Sequence, residues 1–196
     1  MSLRDKLINL FYQGATSSRK ARTLLTPIGG FFFFIFVGLF ILVSFQIDNI
    51  LKLPQFLHNP LNVMISLPVL TVGLFLALWS ILHFFRVKGT PVPFNPPSTL
   101  VKTGPYAHAR NPMLTGVFIL LLGLGTLLKS ISLTFIFTPL FILLSVLELK
   151  AIEEPELEKR LGKEYLEYKK GTPMFVPWLR AKSKMTEVTK KYWSKN

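Results

Sequence analysis

The chain has 196 residues, half of them hydrophobic, a formal net charge of +13 and no cysteine. Without thiols there is no disulfide framework, no thiolate metal site and no cysteine nucleophile. The basic residues flank apolar runs and form no long basic groove, so they are read as anchors to anionic lipid that set orientation, and nucleic acid is not the expected partner.

In chain order, residues 1–14 place Leu3, Leu7, Ile8, Leu10 and Phe11 on roughly one helical face, with Arg4, Asp5 and Lys6 around them. This is the pattern of an interfacial amphipathic helix; a frayed basic tail is the alternative. Arg19, Lys20 and Arg22 then form a basic stop. The run from Gly29 to Phe45 contains no charge, and about 20 such residues span a hydrocarbon core. It starts late and has the length of a full span, so no cleavable signal peptide is expected. The first span is placed at 27–47 and the second at 61–85, with Pro68 as a tolerated kink. Two further apolar runs, 113–128 and 131–147, are separated only by Lys129-Ser130, which demands a tight helical hairpin. The expected fold class is therefore all-α, a polytopic membrane protein with about four transmembrane helices.

Lysine and arginine are concentrated in the N-terminal segment, in the loop from Arg86 to Arg110 and after Lys150, whereas the connections at Lys52 and Lys129 carry one each. The positive-inside rule then puts both termini and the 86–110 loop in the cytoplasm, and the plasma membrane of a prokaryote is the expected location. Four segments follow: a basic amphipathic segment (1–26), two transmembrane helices (27–85), a region holding the polar loop, the hairpin and the tail helix (86–179), and a basic tail (180–196).

Two polar clusters fall on this cytoplasmic side. The first runs from Thr99 through Gly104-Pro-Tyr106, His108 and Arg110-Asn-Pro-Met113 to Gly116. A proline-punctuated polar segment between membrane helices must lie in the aqueous interface or line a cavity, because lipid does not tolerate unsatisfied backbone groups. Ahead of it, the prolines of 89–97 favour an extended path, either a rigid wall or a stiff connector. The second cluster begins at Glu153-Glu154-Pro155. It continues as a helix in which Leu157, Leu161, Tyr165 and Tyr168 recur at spacings of three and four, with Gly162 interrupting it and Gly171-Thr-Pro173 ending it. Val176-Pro-Trp-Leu179 reads as an interfacial anchor. Carboxylates at the end of a membrane helix are costly unless they face water, a partner or a ligand. His58, His83 and His108 lack ligand spacing, so no metal site is expected. Neither a serine elbow nor a glycine-rich phosphate loop is present.

Together, Thr99-Leu-Val101, Gly104-Pro-Tyr106, Arg110-Asn-Pro-Met113 with Gly116, Glu153-Glu154 and Leu161-Gly-Lys-Glu-Tyr165-Leu-Glu-Tyr168 resemble the isoprenylcysteine carboxyl methyltransferase and phospholipid methyltransferase superfamily. The resemblance covers about 89–179. It implies an integral membrane enzyme that uses S-adenosylmethionine without a Rossmann domain and yields S-adenosylhomocysteine. By motif position, Ser98, Thr99, Leu100, Val101, Tyr106, Asn111, Pro112, Met113 and Leu114 would line the cofactor pocket, with Glu153 opposite. A carboxylate such as Glu153 suits the cofactor's ammonium, Arg110 or backbone donors near Asn111 its carboxylate, and Tyr106 its adenine. Arg110, Glu154 and His108 are the catalytic candidates, the last two as bases should the acceptor be an amine. Isoprenylcysteine enzymes usually carry His at the position of Asn111, frequently Tyr at that of Leu114, and an acceptor-binding Arg at that of Leu149. The implied reaction is methyl transfer to a membrane-embedded lipid or isoprenoid acceptor, with a phosphatidylethanolamine-type N-methyltransferase as the alternative. A non-catalytic assembly or transport subunit and a nicotinamide-dependent lipid reductase are the rivals from other classes.

Overall fold

The computed structural model describes residues 2–87, 90, 96–97 and 99–175. Ser98, most of the 89–97 proline stretch, the 176–179 anchor and the 180–196 tail lie outside the described residues. The described elements are helical: α1 (Leu3–Thr16), α2 (Arg19–Ile50), α3 (Leu61–Arg86), a 3-10 turn (Gly104–Ala107), α4 (Pro112–Leu127), a long α5 (Leu133–Leu161) and α6 (Lys163–Gly171).

α2, α3 and α5 are each long and apolar enough to cross a membrane. α4, with 16 residues, rises about 24 Å, short of the roughly 30 Å core on its own. Phe31, Phe32 and Phe34 of α2 and Leu74 and Phe75 of α3 are exposed. So large an exposed apolar surface fits lipid as its solvent. The protein is an all-helical, multi-pass membrane protein.

Without a hydrophobic drive between helices in lipid, close backbone approach through small residues holds such bundles together. α3 and α4 run antiparallel and pack this way. A Cβ added at Gly116 would stand 2.7 Å from the Ala77 amide nitrogen and 2.8 Å from the Gly73 carbonyl oxygen. Phe118 and Leu121 of α4 then meet Leu133 and Phe141 of α5 in the buried core, with Phe33 and Phe40 of α2 against them. Phe141 receives the rings of Phe33, Phe40 and Phe118 edge-on.

At one end of the bundle, Asp48 of α2 accepts hydrogen bonds from the Ser130 hydroxyl and, at 3.0 Å, from the Ser132 amide. It thus caps the start of α5 across the Lys129-Ser130 hairpin. At the other end lie α1, the 3-10 turn and α6, brought together by the last turns of α3 and α5. The final apolar run and the tail are not separate elements. α5 continues through Glu148 to Leu161 by way of a π-helical segment at Leu149–Glu153, and breaks only at Gly162, whose φ is +60°.

Candidate active site

A cavity opens at the end where α1, the 3-10 turn and α6 converge. Thr99, Leu100, Val101 and Tyr106 line it from the polar loop, Arg110 and Asn111 from the approach to α4, and Glu153 and Glu154 from α5. The two polar clusters therefore meet on one hollow.

The loop is held in place by side chains from all around it. Gly104 has φ +60°, and a Cβ there would stand 2.7 Å from Nδ1 of His83, so the turn admits only glycine. His83 bonds Thr103 through Nε2 at 2.9 Å and stacks on Tyr106, while Phe84 meets the Tyr106 ring edge-on at 4.7 Å. The start of α4 is strapped from the C-terminal side. The amides of Arg110 and Asn111 donate to the carbonyls of Pro173 and Met174 at 2.8 and 3.0 Å. Pro112 at the first helical position needs no N–H partner.

The adjacent carboxylates of α5 have different lives. Glu154 is 5% exposed; one of its oxygens takes the Arg110 guanidinium and the other takes Lys169 of α6 at 2.7 Å. Glu156 is equally buried and pairs with Arg160 at 2.7 Å. Glu153 also lines the cavity, and among the described residues it has no ion pair. The Nε of Arg110 is buried and has no hydrogen-bond partner among the described residues. Glu153 and Arg110 thus both line a hollow otherwise walled by Tyr106, Phe84, Leu100, Leu149 and Leu157.

The phenols stay neutral, Tyr168 donating to the Tyr106 carbonyl oxygen and Tyr165 accepting from the Arg110 guanidinium. Burial pushes Tyr106, Tyr165 and Tyr168 above the ordinary tyrosine value, Tyr165 to about 12. The Glu154 charge reinforces the shift at Tyr165 and the Arg110 charge opposes it. Lys169 is held above its usual value by its bonds to Glu154 and Glu158.

Not every residue singled out from sequence comes to the hollow. Pro112, Met113 and Leu114 begin α4 but are not among the residues lining it; Leu114 packs toward the core. His108 is exposed, outside the lining. Glu154 lines the cavity with both oxygens committed to cations, which suits it to positioning Arg110 better than to taking a proton. Phe11, Phe84, Glu156, Arg160, Tyr165 and Tyr168 line the cavity without having been singled out as site residues. For Tyr165 and Tyr168 a signal was present in the spacing of three and four that continues from Leu157 and Leu161, although the helix breaks at Gly162 between the two pairs. Among the described residues no group of three or more His, Asp or Glu side chains is arranged to hold a metal ion.

An all-helical membrane bundle thus carries, at one end, a hollow built from a Gly-Pro-Tyr turn, an Arg-Asn-Pro helix start and a glutamate pair. The chain matches the phospholipid methyltransferase family over residues 56–164 and belongs to it, within the superfamily that also holds the isoprenylcysteine carboxyl methyltransferases. It is also 32% identical over 116 residues to the nickel-cobalt-cadmium resistance protein NccN of Alcaligenes xylosoxydans xylosoxydans, a stretch covering 59% of this chain and 48% of that relative. The chain thus aligns with about half the length of that curated protein. No solved structure matches it significantly.

Proposed function

We propose that this chain is an S-adenosylmethionine-dependent methyltransferase acting on a lipid held in the bilayer. The observation that carries this reading is the meeting of Tyr106, Arg110 and Glu153 on one cavity, although they come from segments far apart in sequence. The residues lining the cavity fit the cofactor: the Glu153 carboxylate, without an ion pair among the described residues, suits its ammonium, the Arg110 guanidinium suits its carboxylate, and the ring of Tyr106 offers a face for the adenine. When bound, S-adenosylmethionine supplies a methyl group already activated on a sulfonium. The protein's part is then mainly orientation and exclusion of water, worth several kcal/mol when reacting atoms are held in line.

Glu154 fixes Arg110 in register, with Lys169 balancing its second oxygen. Tyr165 stands 3.4 Å from the same guanidinium. With both termini on the cytoplasmic side, the cavity opens toward the cytosol and its apolar wall toward the inner leaflet.

On the acceptor, Leu149 is informative. It is 1% exposed, faces the cavity, and stands where isoprenylcysteine enzymes carry an arginine for the acceptor carboxylate. An amine headgroup therefore fits this site better than a prenyl-cysteine carboxylate. An amine must shed a proton on the way to being methylated.

The test is incubation of the purified protein in lipid with isotopically labelled S-adenosylmethionine, followed by mass spectrometry of the lipids. A labelled methyl on an aminophospholipid is expected. Thermal stabilisation by NADPH and not by S-adenosylhomocysteine would replace this reading with a reductase, and stabilisation by neither would leave a non-catalytic membrane subunit.

A further inference from the structure

The N-terminal helix is absent from the family match, which begins at residue 56, yet it reaches the site. Phe11 of α1 lines the cavity with Leu157 and Leu161 of α5. We propose that α1 is the movable wall of this cavity, with Phe11 as a positioning residue that closes over its occupant.

The docking of α1 is keyed to the stretch of α5 that carries Glu153. The Arg4 Nε donates to the carbonyl oxygen of Ala151 at 3.0 Å. In a regular helix that carbonyl would be bonded by the residue four positions on, which is Pro155 and has no N–H. One turn further along, the Lys159 ammonium donates to the Asn9 side-chain oxygen at 2.7 Å and sits 4.3 Å over the Tyr12 ring. Ala15 is buried near the end of the helix.

The attachment is built to release. The Arg4 and Lys159 hydrogen bonds are exposed to solvent, the setting in which polar contacts hold least firmly. Two extended residues, Ser17 and Ser18, separate α1 from α2 and cap both helices, giving α1 an axis about which to lift without unwinding. Not all of the apolar residues of α1 are covered by the dock: Leu3 and Leu10 are 75% and 57% exposed. A helix with exposed leucines among basic residues remains at the membrane surface when it leaves its dock.

The absence of cysteine makes the experiment direct. In the full chain carrying Phe11→Cys the only thiol is in the cavity wall, and its reaction rate with a charged, membrane-impermeant maleimide reports the opening of α1. Adding Lys159→Met removes both the Asn9 bond and the Tyr12 contact from outside the cavity. The labelling rate is expected to rise about tenfold, and equal rates in the two backgrounds would overturn the proposal. The outward Leu10→Cys should label at the same fast rate in both; a parallel Lys159 effect there would indicate loosening of the whole fold and also count against a specific wall. The ligand-dependent half rests on the proposed cofactor: saturating S-adenosylhomocysteine should slow labelling of Phe11→Cys severalfold. A Lys159 effect with no such protection upholds the wall and removes the cofactor reading. Should Phe11→Cys fail to fold, Lys159→Met alone should hasten release of S-adenosylhomocysteine in stopped flow, and an unchanged release rate would overturn the proposal.

Discussion

The hydroxyl of Tyr168 donates to the backbone carbonyl oxygen of Tyr106 at 2.6 Å, so a residue of α6 holds the turn that forms the facing wall of the cavity. The bond joins positions 62 apart in the chain. Replacing Tyr168 with Phe leaves a part-buried carbonyl without its donor, a loss of about 1–2 kcal/mol. Denaturation of the detergent-solubilised protein should show that loss, and cofactor affinity should fall with it, because the turn carrying Tyr106 is no longer pinned.

Glu154 and Arg110 form a buried pair in which neither partner tolerates being left alone. Glu154→Ala strands the Arg110 guanidinium and is expected to lower stability by about 3–5 kcal/mol. The double variant Arg110→Met with Glu154→Leu should recover most of it, since well-packed apolar residues substitute for a buried ion pair at little loss. Methyl transfer should remain absent in that double variant. Recovery of both stability and turnover would show that Arg110 has no part in the chemistry.

Glu153→Gln separates binding from folding. The carboxylate has no ion pair among the described residues, so the melting temperature without ligand should barely change. Affinity for S-adenosylhomocysteine in calorimetry should fall by about 1.5–3 kcal/mol, the worth of a hydrogen bond to a charged group, or roughly one to two decades. An unchanged affinity would discard the assigned role.

Gly116→Ala drives a methyl group against the backbone of α3, 2.7 Å from the Ala77 nitrogen. Two rigid helices must separate to admit it, with an expected loss of about 1–3 kcal/mol. Gly30, which has open space around it, is the matched control and should accept alanine with no loss of stability.

The buried phenols set the alkaline limit. An unfolded tyrosine ionises near pH 10, whereas the folded chain holds Tyr165 protonated to about pH 12 and Tyr106 and Tyr168 above their ordinary value as well. The folded state thus binds more protons than the unfolded one once pH exceeds about 10, and stability falls as pH rises through that window. Below it the contribution is fully present. Tyrosinate absorbance should register this: Tyr165→Phe should leave the signal at about pH 10 unchanged and reduce it only after alkaline unfolding.

Much of the fold was legible because lipid enforces a simple grammar. The second span, read as 61–85, is observed as Leu61–Arg86, and the two-residue Lys129-Ser130 hairpin is observed as well. The last apolar run, 131–147, is only the first part of a longer helix: Glu148, Lys150 and Pro155 look like an ending, yet the helix absorbs them through its π-helical segment and runs on to Leu161. Neighbouring glutamates are indistinguishable in a string of letters. Successive side chains point about 100° apart around a helix, and only the fold shows that Glu154 turns to Arg110 and Lys169. Nor does any periodicity announce Phe11, whose place depends on a contact between opposite ends of the sequence.

From Ser132 to Glu153 the α5 helix runs for about 30 Å. Asp48 ties the far tip of that helix to α2, so the element that brings the glutamate pair to the hollow is anchored at the opposite end of the bundle.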